Sequence, residues 1–384
     1  MTSDARAGLV RREPFRLFFP LAALLGLAGV LPWLLFGSGL STAWPGTYHA
    51  LTMTQGFVVA TAAGFLGTMI PRRTGGAPFA RGELGLVIAG LTVLPPALAL
   101  GRLAIAECAS LVVLATLAQF AVRRLRASRG PRAAPASFVL LPSGLAMGAT
   151  GSGLLLASAL GAPAWTLALG RGLVEEGLVL GLVLALAPML TGIIAHDRPP
   201  ADRPARGARL LHVTAALLLA ASFGVQLRST GAGVLVRGAV VLAELVLAAG
   251  IWRPATVPGL HRRVFLLALW LVPLGLILGG LRPAMRVPFL HLTLVGGVSL
   301  LIFAVALHVS FLHTGRESLA RRSPWPVAAV AVLTVAAALA RASAERWFSA
   351  DFVTVLLIAA SLWSLAAIVW MLYVVPMLWW QPKP

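Results

Sequence analysis

The sequence predicts an all-α polytopic membrane protein of about twelve transmembrane helices. Three observations carry that prediction. Of 384 residues, 59% are hydrophobic and 11% charged, with a mean hydropathy of +0.91; a soluble domain carries about a quarter charged residues. The apolar residues gather into runs that meet or approach the roughly 18 to 20 residues a helix needs to cross a bilayer. The basic residues fall mostly between those runs, as membrane topology requires.

The runs lie at about 17–36, 49–70, 84–101, 104–122, 138–160, 172–195, 209–226, 232–251, 263–281, 289–311, 325–342 and 352–377. The turns at Gly101 and Ser229 separate closely spaced pairs. Residues 1–16 read as a cytoplasmic segment, 17–377 as a single transmembrane domain and 378–384 as a short cytoplasmic tail. Arg11, Arg12 and Arg16 precede an apolar run that is itself a full span, so no cleavable signal is expected. The segments 123–136 (RRLRASRGPRAAPA) and 197–208 (DRPPADRPARGA) are Pro/Arg-rich connections.

The formal charge is +19, from 31 Lys+Arg against 12 Asp+Glu. In short loops such charge encodes topology and attracts anionic lipid, so a bilayer is the expected partner and nucleic acid is not. With the N-terminus inside, the inner segments hold 23 of the 31 basic residues, including Arg129, Arg132, Arg203, Arg206 and Lys383. Both termini are therefore expected in the cytoplasm. The single cysteine, Cys108, excludes an intrachain disulfide framework and a Cys-rich metal cluster. The chain lacks a Walker A loop, a Rossmann glycine fingerprint, a zinc-protease helix and a convincing nucleophile elbow.

The second, sixth and tenth runs all end on Thr-Gly, at Thr74-Gly75, Thr191-Gly192 and Thr314-Gly315, spaced by 117 and 123 residues. Three four-helix units would give this pattern. So would the ordinary use of glycine at helix ends.

Ionisable side chains at membrane depth are functional candidates. His49 and Met53 are four residues apart and share a helix face. His291 opens the tenth run, and if the second and tenth helices are neighbours the two histidines could face each other. Two imidazoles can hold a haem iron, and His with Met is another axial pair. One His, or His with Met, could instead hold copper. Interfacial histidines bonded to water or loop carbonyls give the same spacing. Arg282, Arg286, Arg341 and Arg346 line the outer edge, where arginine could bind haem propionates or serve as ordinary loop charge. On the inner side, His308 and His313 do not share a face well. His196 and His212 sit at helix ends and His261 in a basic loop, so solvated histidines are expected there. Glu107, Glu175, Glu176 and Glu244 are the acidic candidates; Glu175 and Glu176 lie near Arg171, and Glu244 follows Arg237 by two turns.

Three stretches together resemble the NnrS family of bacterial inner-membrane proteins: 15-FRLFFPLAALLGLAGVLPWLLF-36, His49 with 64-GFLGTMIPRRTG-75, and 291-HLTLVGGVSLLIFAVALHVSFLHTGR-316. The resemblance covers most of the chain. It implies a haem- and copper-containing protein of nitric oxide metabolism and nitrosative stress. It also implies that His49 and His291 are metal or haem ligands, and that His313 and Arg316 form an inner signature together with position 308. A twelve-helix, threefold arrangement would further be similar to haem–copper oxidase subunit I, by analogy of fold. The chain departs from the family pattern at 49-HALTM-53: Leu51 stands for a second histidine and Thr52 for a glutamate. His308 replaces a usual arginine, and 184-LALAPMLTG-192 lacks a Gly-Gly-Arg. One copper donor is thus gone. The expected function is haem binding in the response to nitric oxide, with electron donor unassigned. The alternatives are a cofactor-free scaffold or a secondary transporter, the latter on a Glu–Arg pair and helix-interrupting prolines at 95, 96, 188 and 273.

Overall fold

The computed structural model of the chain describes residues 3–126, 134–198 and 207–379. Arg129, Arg132, Arg203, Arg206 and Lys383, half of the first Pro/Arg-rich connection, most of the second and the end of the C-terminal tail lie outside the described residues. All regular elements among the described residues are helical. Twelve are long and apolar enough to cross a membrane: α1 (Phe15–Gly37), α2 (Gly46–Thr74), α3 (Arg81–Ala99), α4 (Leu103–Arg126), α5 (Ala136–Ala159), α6 (Ala164–His196), α7 (Ala208–Arg228), α8 (Thr230–Ala249), α9 (Leu260–Leu281), α10 (Pro283–His313), α11 (Trp325–Trp347) and α12 (Phe352–Trp379). The protein is an all-α polytopic membrane protein. A further helix, Ser3–Arg12, precedes α1. The expected turns hold: Gly101 takes a left-handed φ of 66°, and the Ser229 hydroxyl caps α8 by accepting from the Ala232 N–H.

α2, α6 and α10 stand apart from the other nine. They are the longest, at 29, 33 and 31 residues, and 78–83% of their most apolar stretch is buried, against 28–61% elsewhere. Each also carries a π-helical segment in its first half: Thr52–Val58, Leu173–Leu178 and Leu292–Ser299. These segments begin 121 and 119 residues apart. π-helix is rare and is associated with functional sites, so its recurrence at one place in every fourth helix supports three repeated four-helix units. A fourth π segment, Leu245–Ala249, ends α8. The Thr-Gly ends repeat less faithfully. Gly75 and Gly315 take φ of 68° and 69° and stop their helices, whereas α6 continues past Gly192 to His196.

The chain divides into two compact units. The first comprises Met1–Gly29, Gly46–Ala185 and Ala201–Val213; the second comprises Val30–Pro45, Leu186–Pro200 and Thr214–Pro384. In the first unit α2 packs on α3 and α4, α4 on α5, and α5 on the first half of α6, while the π segments of α2 and α6 touch. α5 and α6 cross with backbones in contact: a Cβ on Gly181 would lie 2.3 Å from the Gly144 Cα. Small residues allow such approach in membranes, where apolar burial alone does not drive helices together. In the second unit α9 packs on α8 and α10, the π segment of α10 on α9 and α11, and α11 on α12.

The prolines expected to interrupt helices do not break them. Pro95 and Pro96 lie within α3, Pro188 within α6 and Pro273 within α9, each helix continuous. Neighbouring helices and local adjustment satisfy the freed backbone groups.

Candidate haem-ligating histidines and buried polar clusters

His49 and Met53 converge on one residue of α1. The His49 Nδ1 lies 3.1 Å from the carbonyl oxygen of Gly29. A carbonyl only accepts, so Nδ1 carries a proton, and the neutral form of the ring has its lone pair on Nε2. Met53, one turn on, lays its sulfur on the same residue: a Cβ on Gly29 would stand 3.1 Å from the Met53 Sδ. Both side chains are half-buried. The glycine lets the thioether approach the residue whose carbonyl orients the imidazole.

In the second unit, His291 has the same tautomer by a different route. Its Nδ1 donates to the carbonyl of Val287, one turn earlier in its own helix, at 2.8 Å. In the neutral ring the lone pair is then on Nε2. Ligating histidines almost always donate their other ring N–H to a carbonyl, carboxylate or water, which fixes the ring and raises its basicity. Both imidazoles fit haem ligation on that criterion. Arg286, half-buried, precedes His291 by five residues in the same helix, and Arg282 is exposed at the end of α9.

The position where a second histidine would serve copper is closed. Leu51 is fully buried and packs with Leu155 and Val174 of α5 and α6. Thr52 is likewise fully buried. Leu51 supplies no donor, so copper would retain only His49 and Met53. Among the described residues no group of three or more His, Cys, Asp or Glu side chains could hold a metal ion.

The inner histidines depart from expectation. His261 is not in a loop but is the second residue of α9, which begins after Gly259 at φ 138°. Nor is it solvated: His261 and His308 are 1% and 3% exposed, and the His261 Nε2 lies 3.0 Å from the His308 Nδ1. The reason is tertiary. α9 and α10 pack along their length, and two imidazoles that meet across them share one proton, while the His308 Nε2 is buried without a partner among the described residues. Thr314 and Arg316 have an architectural role. Thr314 bonds back to the Ser310 carbonyl at 2.7 Å, and Arg316 reaches Thr314 Oγ1 and the Met377 carbonyl of α12, both at 3.1 Å. His313 beside them is half-buried, His212 is buried, and the His196 Nδ1 lies 3.5 Å from Thr256 Oγ1.

Of the acidic candidates, Glu175 forms the expected ion pair with Arg171 at 2.7 Å. Glu176 is buried instead. Arg237 is held by α7, donating to Ser222 Oγ at 3.2 Å and Gln226 Oε1 at 2.7 Å and lying over the Phe223 ring. Glu107 accepts from Gln55, which also donates to Ser152, inside the first unit. The polar signal of Gln55 within an apolar run was available in the sequence, but its partners lie 52 and 97 residues away.

The fold and these residues define a class: a twelve-span helical membrane protein in which two of the three long, π-containing helices, α2 and α10, carry a histidine just ahead of the π segment. The family described as NnrS protein matches residues 9–381, nearly the whole length. The chain belongs to the NnrS family. No curated protein matches it.

Proposed function

We propose that this chain is a haem-binding protein of the bacterial inner membrane that takes part in nitric oxide metabolism or protection from nitrosative stress. His49 and His291 would each offer Nε2 to haem iron. Met53 packs against the glycine that orients His49, and Arg282 and Arg286 would supply cationic partners for propionates. Both termini lie in the cytoplasm, on the positive-inside bias. The observation that carries the reading is the shared tautomer: each Nδ1 is committed to a backbone carbonyl, at 3.1 and 2.8 Å. When bound, haem iron would supply a centre for nitric oxide or another diatomic ligand. Copper is not part of the proposal, because Leu51 offers no donor.

The test is an oxidised-minus-reduced optical spectrum of the detergent-purified chain with pyridine haemochrome quantitation. Near one haem per chain supports the reading. A featureless spectrum from folded protein produced with ample haem would overturn it and bring forward the transporter or scaffold.

A further inference from the structure

α4 carries a carboxyl into the interior of the first unit. Glu107 is 0% exposed, one turn into a helix that begins at Leu103. Gln55, from the π segment of α2, donates through Nε2 to Glu107 Oε2 at 2.8 Å and to Ser152 Oγ of α5 at 3.0 Å. Ser152 Oγ donates to Ser110 Oγ of α4 at 3.3 Å. No member of this cluster is more than 5% exposed. Three helices therefore meet on one polar cluster in an apolar interior.

Two features are unaccounted for if Glu107 is ionised. The first is charge. An uncompensated carboxylate in a low-dielectric interior is strongly unfavourable, and among the described residues no cation pairs with Glu107. α5 has no ionisable side chain. Arg123, Arg124 and Arg126 stand at the far end of α4, where Arg124 pairs with Glu83 of α3 at 2.8 Å. Cys108 and Arg102 are exposed. From α2, His49 bonds to Gly29, Tyr48 lies two turns before Gln55, and Arg72 and Arg73 close the opposite end. The second feature is hydrogen bonding. Glu107 Oε1 and Gln55 Oε1 are both buried and have no partner among the described residues. Both are acceptors, so neither can satisfy the other. A proton on Glu107 removes the charge and converts an orphaned acceptor into a donor, with an orphaned amide oxygen in the same cluster.

We propose that Glu107, clasped by Gln55 and Ser152, is a proton-binding site within the membrane-spanning part of the first unit. The neutral acid is the resident form: the carboxylate takes one proton from bulk water, and no other bond changes. Gln55 belongs to the helix that carries His49, so occupancy of this site bears on how α2 is held, whether or not haem is bound.

Infrared spectroscopy of the purified full chain at neutral pH tests this. Carboxylic acid carbonyls absorb apart from carboxylates and the amide bands, and Glu176 and Glu244 cancel in a wild-type-minus-variant difference. The expected result is an acid carbonyl band lost in Glu107→Gln and shifted upward in Gln55→Leu, where a hydrogen bond to the acid is removed. A spectrum unchanged by Glu107→Gln overturns the proposal. So does a band that disappears on addition of sodium chloride, which would mark the cluster as a sodium site. Should Glu107→Gln fail to fold, an unshifted band in Gln55→Leu overturns it equally.

Discussion

α2 and α10 are alike in outline and differ in how they hold their histidines. Each starts near a histidine, passes into a π segment and ends on Thr-Gly with a left-handed glycine. His291 is oriented by its own helix, through the carbonyl four residues before it. His49 is oriented by another helix, through Gly29 of α1, against which Met53 also packs. Local orientation forms with the helix and survives changes in packing. Orientation across helices depends on how closely α1 and α2 approach, and that approach depends on the absence of one methyl group.

The largest expected effect falls on both helices. His49→Ala and His291→Ala should each abolish haem absorbance while leaving the purified chain monodisperse by size exclusion. Retention of full haem in either variant removes that residue from the ligand set. Next, Gly29→Val should separate the two sites. Its side chain meets the Met53 sulfur at about contact distance, and such overpacking costs about 1–3 kcal/mol. Haem occupancy should drop and thermal stability fall. An unaffected Gly29→Val variant would mean that His49 is not held through this carbonyl.

His308→Leu sharpens the contrast at the other end of α10. It leaves the His261 Nε2 without its imidazole partner in a buried site, an expected loss of about 1–3 kcal/mol, read as a lowered melting temperature with haem content retained. The smallest effects belong to the Thr-Gly ends. Thr74→Val and Thr314→Val each delete one bond to the carbonyl four residues back, 2.8 and 2.7 Å long. Each should cost about 1 kcal/mol or less, and near equality of the two would support the repeat.

Much of this architecture is legible in the sequence because it depends on local chemistry. Twelve spans follow from apolar run length, the Gly101 and Ser229 turns from residue type, and the Arg171–Glu175 pair from a four-residue spacing on one helix. The Thr-Gly spacing pointed to repeated thirds, and the π segments repeat at nearly the same interval. The π segments themselves were not legible, since a hydrogen-bond step lengthened by one residue changes neither composition nor hydropathy. Nor was the burial of His261. Its neighbours Arg262 and Arg263 read as loop charge, but Arg262 donates to the Ile194 carbonyl and is itself buried.

By itself, then, the sequence determined a membrane protein, its number of spans, its family and the identity of the titratable side chains within the spans, because each of these depends on residue type or on neighbours a few positions away. Only the tertiary structure decided which partner each of those side chains meets. Gly29 with His49, His261 with His308, and Gln55 with Glu107 are 20, 47 and 52 residues apart. In an apolar interior a polar group must find its partner wherever helix packing brings one, and that packing depends on all the helices together.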